Sequence, residues 1–92
     1  MKVETVAFDA AKYFTTPASQ AELIADALET GDVRYITSAL NTIARARGMA
    51  NVAIAAGVTR GALYKALSLK GDPRLSTLLG VVKALGFTLS AR

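Results

Sequence analysis

The stretch Met49–Ser68, MANVAIAAGVTRGALYKALS, constrains this chain more than any other part of it. A small residue, Ala53, precedes Gly57 by four positions, and Leu63 follows that glycine by six. This spacing suits two short helices that cross steeply through a tight turn. Ala53 lets the backbones approach. Gly57 supplies the positive φ that the turn requires at little steric cost. Val58 and Leu63 then point back into a small core, and Leu67 closes the apolar edge one turn later. Thr59 is placed to cap the second helix by accepting from a free backbone N–H. The pattern predicts a helix-turn-helix over residues 49–68.

The burial of Leu63 and Leu67 leaves Arg60, Gly61, Tyr64 and Lys65 on the outward face of the second helix. In a helix-turn-helix the N-terminal part of this helix enters the DNA major groove. Arg60 can there pair with guanine O6 and N7, and Lys65 can reach a base or a phosphate. Tyr64 and Thr59 can donate to phosphate oxygens. Asn51 on the first helix and Lys70 beyond the second complete the candidate DNA-binding set. Gly61 is unusual, since glycine in a helix costs about 1 kcal/mol relative to alanine. Close approach of a backbone to the duplex is one reason for it.

The charge distribution runs in the same direction. The formal net charge is +4, but residues 1–32 carry six acids against two lysines, a net of −4. Residues 33–92 carry nine basic residues against Asp72 alone, a net of +8. A one-sided basic region suits a polyanionic partner, and it equally suits a solvated surface.

The remaining elements read as helices. Ninety-two residues make one domain, because so short a chain cannot fill two cores. Asp9 caps a short helix through about Phe14, with Phe8 and Tyr13 as a hydrophobic staple. A second helix starts at Pro17 or just after, and Ser19 with Glu22 offers an alternative capping box. Leu23, Ile24, Ala27 and Leu28 face inward there, leaving Glu22, Asp26 and Glu29 outward. Gly31 suits the left-handed position after that helix, and Asp32 caps the next. Val33, Ile36, Leu40, Ile43 and Arg47 set the apolar period of residues 33–47. Gly48 ends that helix, and Lys70-Gly71-Asp72-Pro73 is a turn. A last helix over about 75–85 packs through Leu75, Leu78, Leu79, Val82 and Leu85, and Gly86 stops it. Short terminal strands are expected at Phe87–Ser90 and, as an edge strand or ordered arm, at residues 1–8. The expected architecture is therefore all-α: an acidic N-terminal extension (1–32), a helical DNA-binding core (33–86), and a C-terminal strand or tail (87–92).

Composition excludes much else. With no histidine and no cysteine, the usual general bases, thiol nucleophiles and soft metal ligands are missing, so neither catalysis nor a metal or cofactor site is expected. No phosphate-cradling glycine loop appears, because Gly57 and Gly61 belong to the helical pair. The longest charge-free run, Gly48–Thr59, is far short of the roughly 20 residues that span a bilayer. No signal peptide is apparent, and the lack of cysteine agrees with a reducing cytoplasm. The chain is expected to be a cytoplasmic protein without a membrane or small-molecule partner.

Several further segments carry a family resemblance. Leu40-x-x-Ile43-Ala44-Arg45-Ala46-Arg47-Gly48-Met49 is followed by Thr59-Arg60-x-Ala62-Leu63-Tyr64-Lys65-Ala66-Leu67, and then by Gly71-x-Pro73, Thr77-Leu78 and Lys83-Ala84-Leu85-Gly86. With Phe8-Asp9-x-Ala11-x-Tyr13 and Ala27-Leu28-Glu29-x-Gly31-Asp32, these resemble the probable addiction-module antidote family over residues 8–89. The resemblance implies a lambda-repressor-like (Xre-type) helix-turn-helix. It also implies an antitoxin of a bacterial type II toxin–antitoxin pair that binds a RelE/ParE-superfamily toxin and represses its own operon. Ala50 stands where that pattern usually has a capping serine, Asn51 where it has glutamine, Ile54-Ala55 where it has a charged pair, and Gly61 where it has glutamate or alanine. Such toxins are typically basic, so the acidic face of Glu22, Asp26 and Glu29 is a candidate toxin-binding surface, or simply a solvated helix face. A homodimer is expected, since readers of this type usually bind two half-sites. Two alternatives stay open. One is a stand-alone or phage-type repressor, distinguished by gene context. The other is a protein-interaction module without DNA binding, to which an exposed Ile54 would point.

Overall fold

In the computed structural model, which describes residues 9–68 and 71–89, every regular element is helical. A 3₁₀ turn at Ala10–Tyr13 precedes five α-helices: α1 (Pro17–Thr30), α2 (Val33–Arg47), α3 (Met49–Ala56), α4 (Arg60–Ala66) and α5 (Leu75–Ala84). No strand occurs among the described residues.

Local chemistry sets most boundaries. Asp9 accepts from the Ala11 N–H at 3.1 Å, fixing the first turn. The staple expected between Phe8 and Tyr13 lies outside the described residues, as does the expected N-terminal strand or arm. Helix α1 begins with Pro17 at its first position, where a missing N–H costs nothing. The start at Pro17 holds, and the capping box is formed by Thr16 and Ser19, not by the alternative pair Ser19 and Glu22. Thr16 Oγ1 accepts from the Ser19 N–H, so Ser19 is already the third residue of the helix. Gly31 takes the left-handed conformation at φ 71°, and Asp32 accepts from the Arg34 N–H at 2.9 Å to start α2.

The core is one apolar cluster to which all five helices or their ends contribute. Ile24 and Ala27 of α1 meet Ala39, Leu40, Ile43 and Ala44 of α2. Met49, Val52 and Ala53 of α3, Leu63 of α4 with Leu67 just beyond it, and Val81, Val82 and Leu85 of α5 complete it. Helix α2 packs on α1 and on α3, while α3 also packs on α4 and α5.

Two faces differ from expectation. Val33 opens α2 but is 55% exposed, and the buried face of that helix centres on Leu40, Ile43 and Ala44. In α5, Leu75 and Leu79 are 68% and 42% exposed. Val82 and Leu85 are buried and Leu78 packs against the core as expected, and Val81 joins them. Apolar residues occur almost all round α5, so periodicity did not single out its inner side.

The expected strand at Phe87–Ser90 is also absent over its described part, Phe87–Leu89. Gly86, at φ 84°, donates to Lys83 O at 2.9 Å, and Phe87 donates to Val82 O at 3.1 Å. This paired pattern is a Schellman helix stop. It spends the Phe87 N–H on the helix end, and no strand among the described residues offers a ladder.

A polar clamp joins segments distant in sequence. Gln20 is buried, and its Nε2 donates to Phe14 O at 2.8 Å. Its Oε1 accepts from Arg47 Nε at 2.8 Å. Arg47 Nη1 donates to Leu85 O at 2.6 Å, and the guanidinium lies 5.6 Å from the Phe87 ring centroid. Hydrogen bonds to a charged group contribute more than neutral ones. Replacing Arg47 with Ala should therefore lower unfolding free energy by about 1.5–3 kcal/mol in urea denaturation, mainly because Gln20 is left buried with an unsatisfied oxygen. Gln20→Ala should cost a similar amount, and the double variant much less than the sum. Additive losses would show that the two side chains act independently.

Candidate functional site

Helix α3 ends in the same kind of stop as α5. Gly57, at φ 74°, donates to Ile54 O at 3.1 Å, and Val58 donates to Ala53 O at 3.0 Å. Only the three residues Gly57–Thr59 separate α3 from α4. Thr59 Oγ1 then accepts from the Ala62 N–H at 3.0 Å, which fixes the start of α4. Helix α4 closes at Ala66, two residues before the sequence-based limit of Ser68. Ala53 and Leu63 are both almost wholly buried, as the spacing predicts.

With Leu63 locked inward, Arg60, Gly61, Tyr64 and Lys65 are all exposed on α4. Arg60 lies along Tyr64 one turn later, with its guanidinium 5.5 Å from the ring centroid and Nη2 donating to the phenol oxygen at 3.5 Å. This i, i+4 contact holds a cation on the outer surface and leaves its other donors facing solvent. A Cβ added to Gly61 would meet nothing within 4 Å, so no neighbour among the described residues requires glycine there. Thr59 sits at the head of this face. Asn51 is exposed on α3 and forms no hydrogen bond with α4 among the described residues. Lys70 lies outside the described residues.

The basic half of the chain divides into two kinds. Arg47 is spent on the clamp, and Arg45 pairs with Asp9 at 2.8 Å. Arg34, Arg60, Lys65, Arg74 and Lys83 are exposed. Arg74, which sequence reasoning did not select, lines one concavity with Lys65 and Thr77 beside the end of α4. Its position depends on the Gly71–Pro73 segment folding back, and no local motif announces that. A Cβ at Gly71 would fall 2.7 Å from the carbonyl oxygens of Lys65 and Ala66, so only glycine allows the approach.

The acidic candidates stand on a different helix. Glu22, Asp26 and Glu29 are exposed on α1. Asp26 Oδ2 accepts from the Tyr35 hydroxyl at 2.5 Å. Among the described residues no cluster of potential metal ligands occurs, and no helix is long and apolar enough to cross a membrane.

The fold and surface together define a small helical domain with a cationic face on one short helix and an acidic face on another. The family described as "Probable addiction module antidote protein" matches residues 4–92, and the chain belongs to it. It is also 41% identical over 78 residues to an uncharacterized protein of Haemophilus influenzae, covering 85% of this chain and 80% of that relative. No solved structure matches the chain.

The Tyr35–Asp26 contact gives a pH prediction. Donation to the carboxylate, with some burial and the Asp26 charge, holds the Tyr35 phenol above its ordinary value of about 10. A raised value means that the folded state keeps this proton longer. The contact's stabilisation is therefore complete below pH about 10 and is lost as pH rises through the higher folded value. The difference in ultraviolet absorbance between wild type and Tyr35→Phe should have a midpoint above 10, returning toward 10 in an Asp26→Asn background. A wild-type midpoint at or below 10 would contradict the assignment.

Proposed function

We propose that this chain is an antitoxin of a type II toxin–antitoxin pair that binds a RelE/ParE-superfamily toxin and represses its own operon. Repression follows from α4 entering the major groove of operator DNA as the second helix of a lambda-repressor-like, Xre-type pair. Membership of the antidote family supports a toxin partner. The observation that carries the DNA reading is the outer surface of α4. Thr59, Arg60, Tyr64 and Lys65 are exposed there, while Leu63 of the same helix is buried. Arg45 and Arg47 are engaged by Asp9, Gln20 and Leu85 O within the chain, whereas the α4 side chains are free to meet a partner.

On this reading Arg60 is the base-reading residue, and Lys65, Tyr64, Thr59, Asn51 and Lys70 contact phosphate or flanking groups. Arg60 leaves the Tyr64 ring to do so, at the small cost of one exposed cation–π contact. A homodimer places two α4 helices on successive half-sites about one helical turn apart. The work is binding in the cytoplasm, not catalysis, in a chain without histidine or cysteine. A second reading, a protein-interaction module that does not bind DNA, is favoured by Ile54, which is 78% exposed on α3.

Fluorescence anisotropy separates the two. Wild type should bind a duplex from its own upstream region tightly, prefer it to a scrambled duplex, and weaken steeply with salt. Arg60→Ala/Lys65→Ala should lose about 2–4 kcal/mol of that binding, combining one base contact with one phosphate contact. Weak binding, equal on both duplexes and unchanged by the substitutions, would support the interaction module. Gly61→Ala sharpens the test. It should raise unfolding free energy by up to about 1 kcal/mol, because its Cβ meets open space within a helix. It should weaken DNA binding if the backbone at Gly61 approaches the duplex, and unaltered affinity would remove that role.

A further inference from the structure

Between the outer face of α1 and the C-terminal segment runs an open groove of about 580 Å³. Its apolar lining comes from Ala25 and Leu28 of α1 and from Leu89. Leu28 and Leu89 are 36% and 46% exposed, which is costly for two leucines facing one concavity. Its charged lining among the described residues is Glu22, Asp26 and Glu29. Helix α1 contains no lysine or arginine over its fourteen residues. Glu22 and Glu29 form no hydrogen bond or ion pair with any described residue, whereas Asp26 is oriented by Tyr35.

Both walls are held in place. Helix α1 is packed on α2 through Ile24 and Ala27. The segment leading to Thr88 and Leu89 is tied down at Leu85 by Arg47 and at Phe87 by its bond to Val82 O. A groove set by such anchors pays little ordering cost on binding.

The geometry points to this groove as the docking site for the toxin, occupied by a segment that sets an apolar side chain between Leu28 and Leu89 and flanking lysines or arginines against Glu22, Asp26 and Glu29. The inference rests on the antitoxin reading above, and it adds the C-terminal segment as half of the contact surface. Charge complementarity decides for a basic partner. A groove carrying three carboxylates repels acidic segments and leaves a neutral apolar one facing desolvated charges. A second copy of this chain presenting its own α1 would meet like charge for the same reason.

Isothermal titration with the purified product of the neighbouring reading frame tests this, using full-length chains and duplex-free protein at low and high salt. Wild type should bind, and more weakly at high salt. Glu22→Lys/Glu29→Lys should weaken binding about a hundredfold, and Leu89→Asp about tenfold or more. Both variants should keep the wild-type thermal midpoint, because neither position contributes to the core. Wild-type binding that both folded variants retain within threefold would overturn the groove while leaving the antitoxin reading intact. Failure of wild type to bind would overturn the toxin partnership and the groove with it. A change in sedimentation of Glu22→Lys/Glu29→Lys without the partner would assign the groove to a second copy and also overturn the inference.

Discussion

The guanidinium of Arg47 is the interaction on which the arrangement of helices most depends. Standing at the end of α2, it reaches Gln20 on α1 and the last carbonyl region of α5 at once, and lies against the Phe87 ring. A cation at the C-terminal end of α5 is favoured by that helix's dipole, and a planar guanidinium can serve two acceptors in fixed directions. A lysine at the same position would meet one acceptor at a time. Through Gln20 the clamp extends to Phe14, so it links the entry to α1, the exit of α2 and the exit of α5. The apolar cluster drives these helices together, but a cluster rich in alanine and leucine tolerates sliding. A directional polar contact fixes which arrangement is adopted.

That internal use of charge shapes the outer surface. Arg47 and Arg45 are the two basic residues at the end of α2, and both are turned to structural partners. The exposed cations that remain include Arg60 and Lys65 on α4 and Arg74 beside it. The acidic residues of α1 are kept on a helix that packs against α2, while α4 packs against α3. Two surfaces of opposite sign are thereby built on different helices of one small core. The toxin and DNA contacts proposed above therefore use different side chains.

Features governed by near neighbours were legible in the sequence. Asp9, Asp32 and Thr59 cap the elements they precede, and Gly31, Gly57 and Gly86 take positive φ at helix ends. Each depends on chemistry within about four residues. The outward face of α4 followed in the same way from Leu63. What escaped were features decided at a distance. Arg47 shares the spacing of an apolar stripe, but its partners lie 27 and 38 residues away. The inner face of α5 is chosen by the shape of α3, because its own sequence is apolar on several sides. The start of α1 at Pro17 was legible, but the capping partner was Thr16 with Ser19, not the alternative pair Ser19 and Glu22. Four alternating residues at 87–90 suggested a strand, yet a strand also needs a neighbour, and the helix stop at Gly86 had already taken the Phe87 N–H. Arg74 joined Lys65 only through the close approach that Gly71 permits.

The most direct test of the account is a ¹H–¹⁵N correlation spectrum of the labelled protein titrated with a duplex from its own promoter. The largest shifts should fall on the amides of Thr59–Lys65, with smaller ones near Asn51 and Arg74 and little change over Glu22–Glu29. Shifts concentrated on α1, or spread evenly along the chain, would contradict the assignment of α4 as the DNA-reading helix.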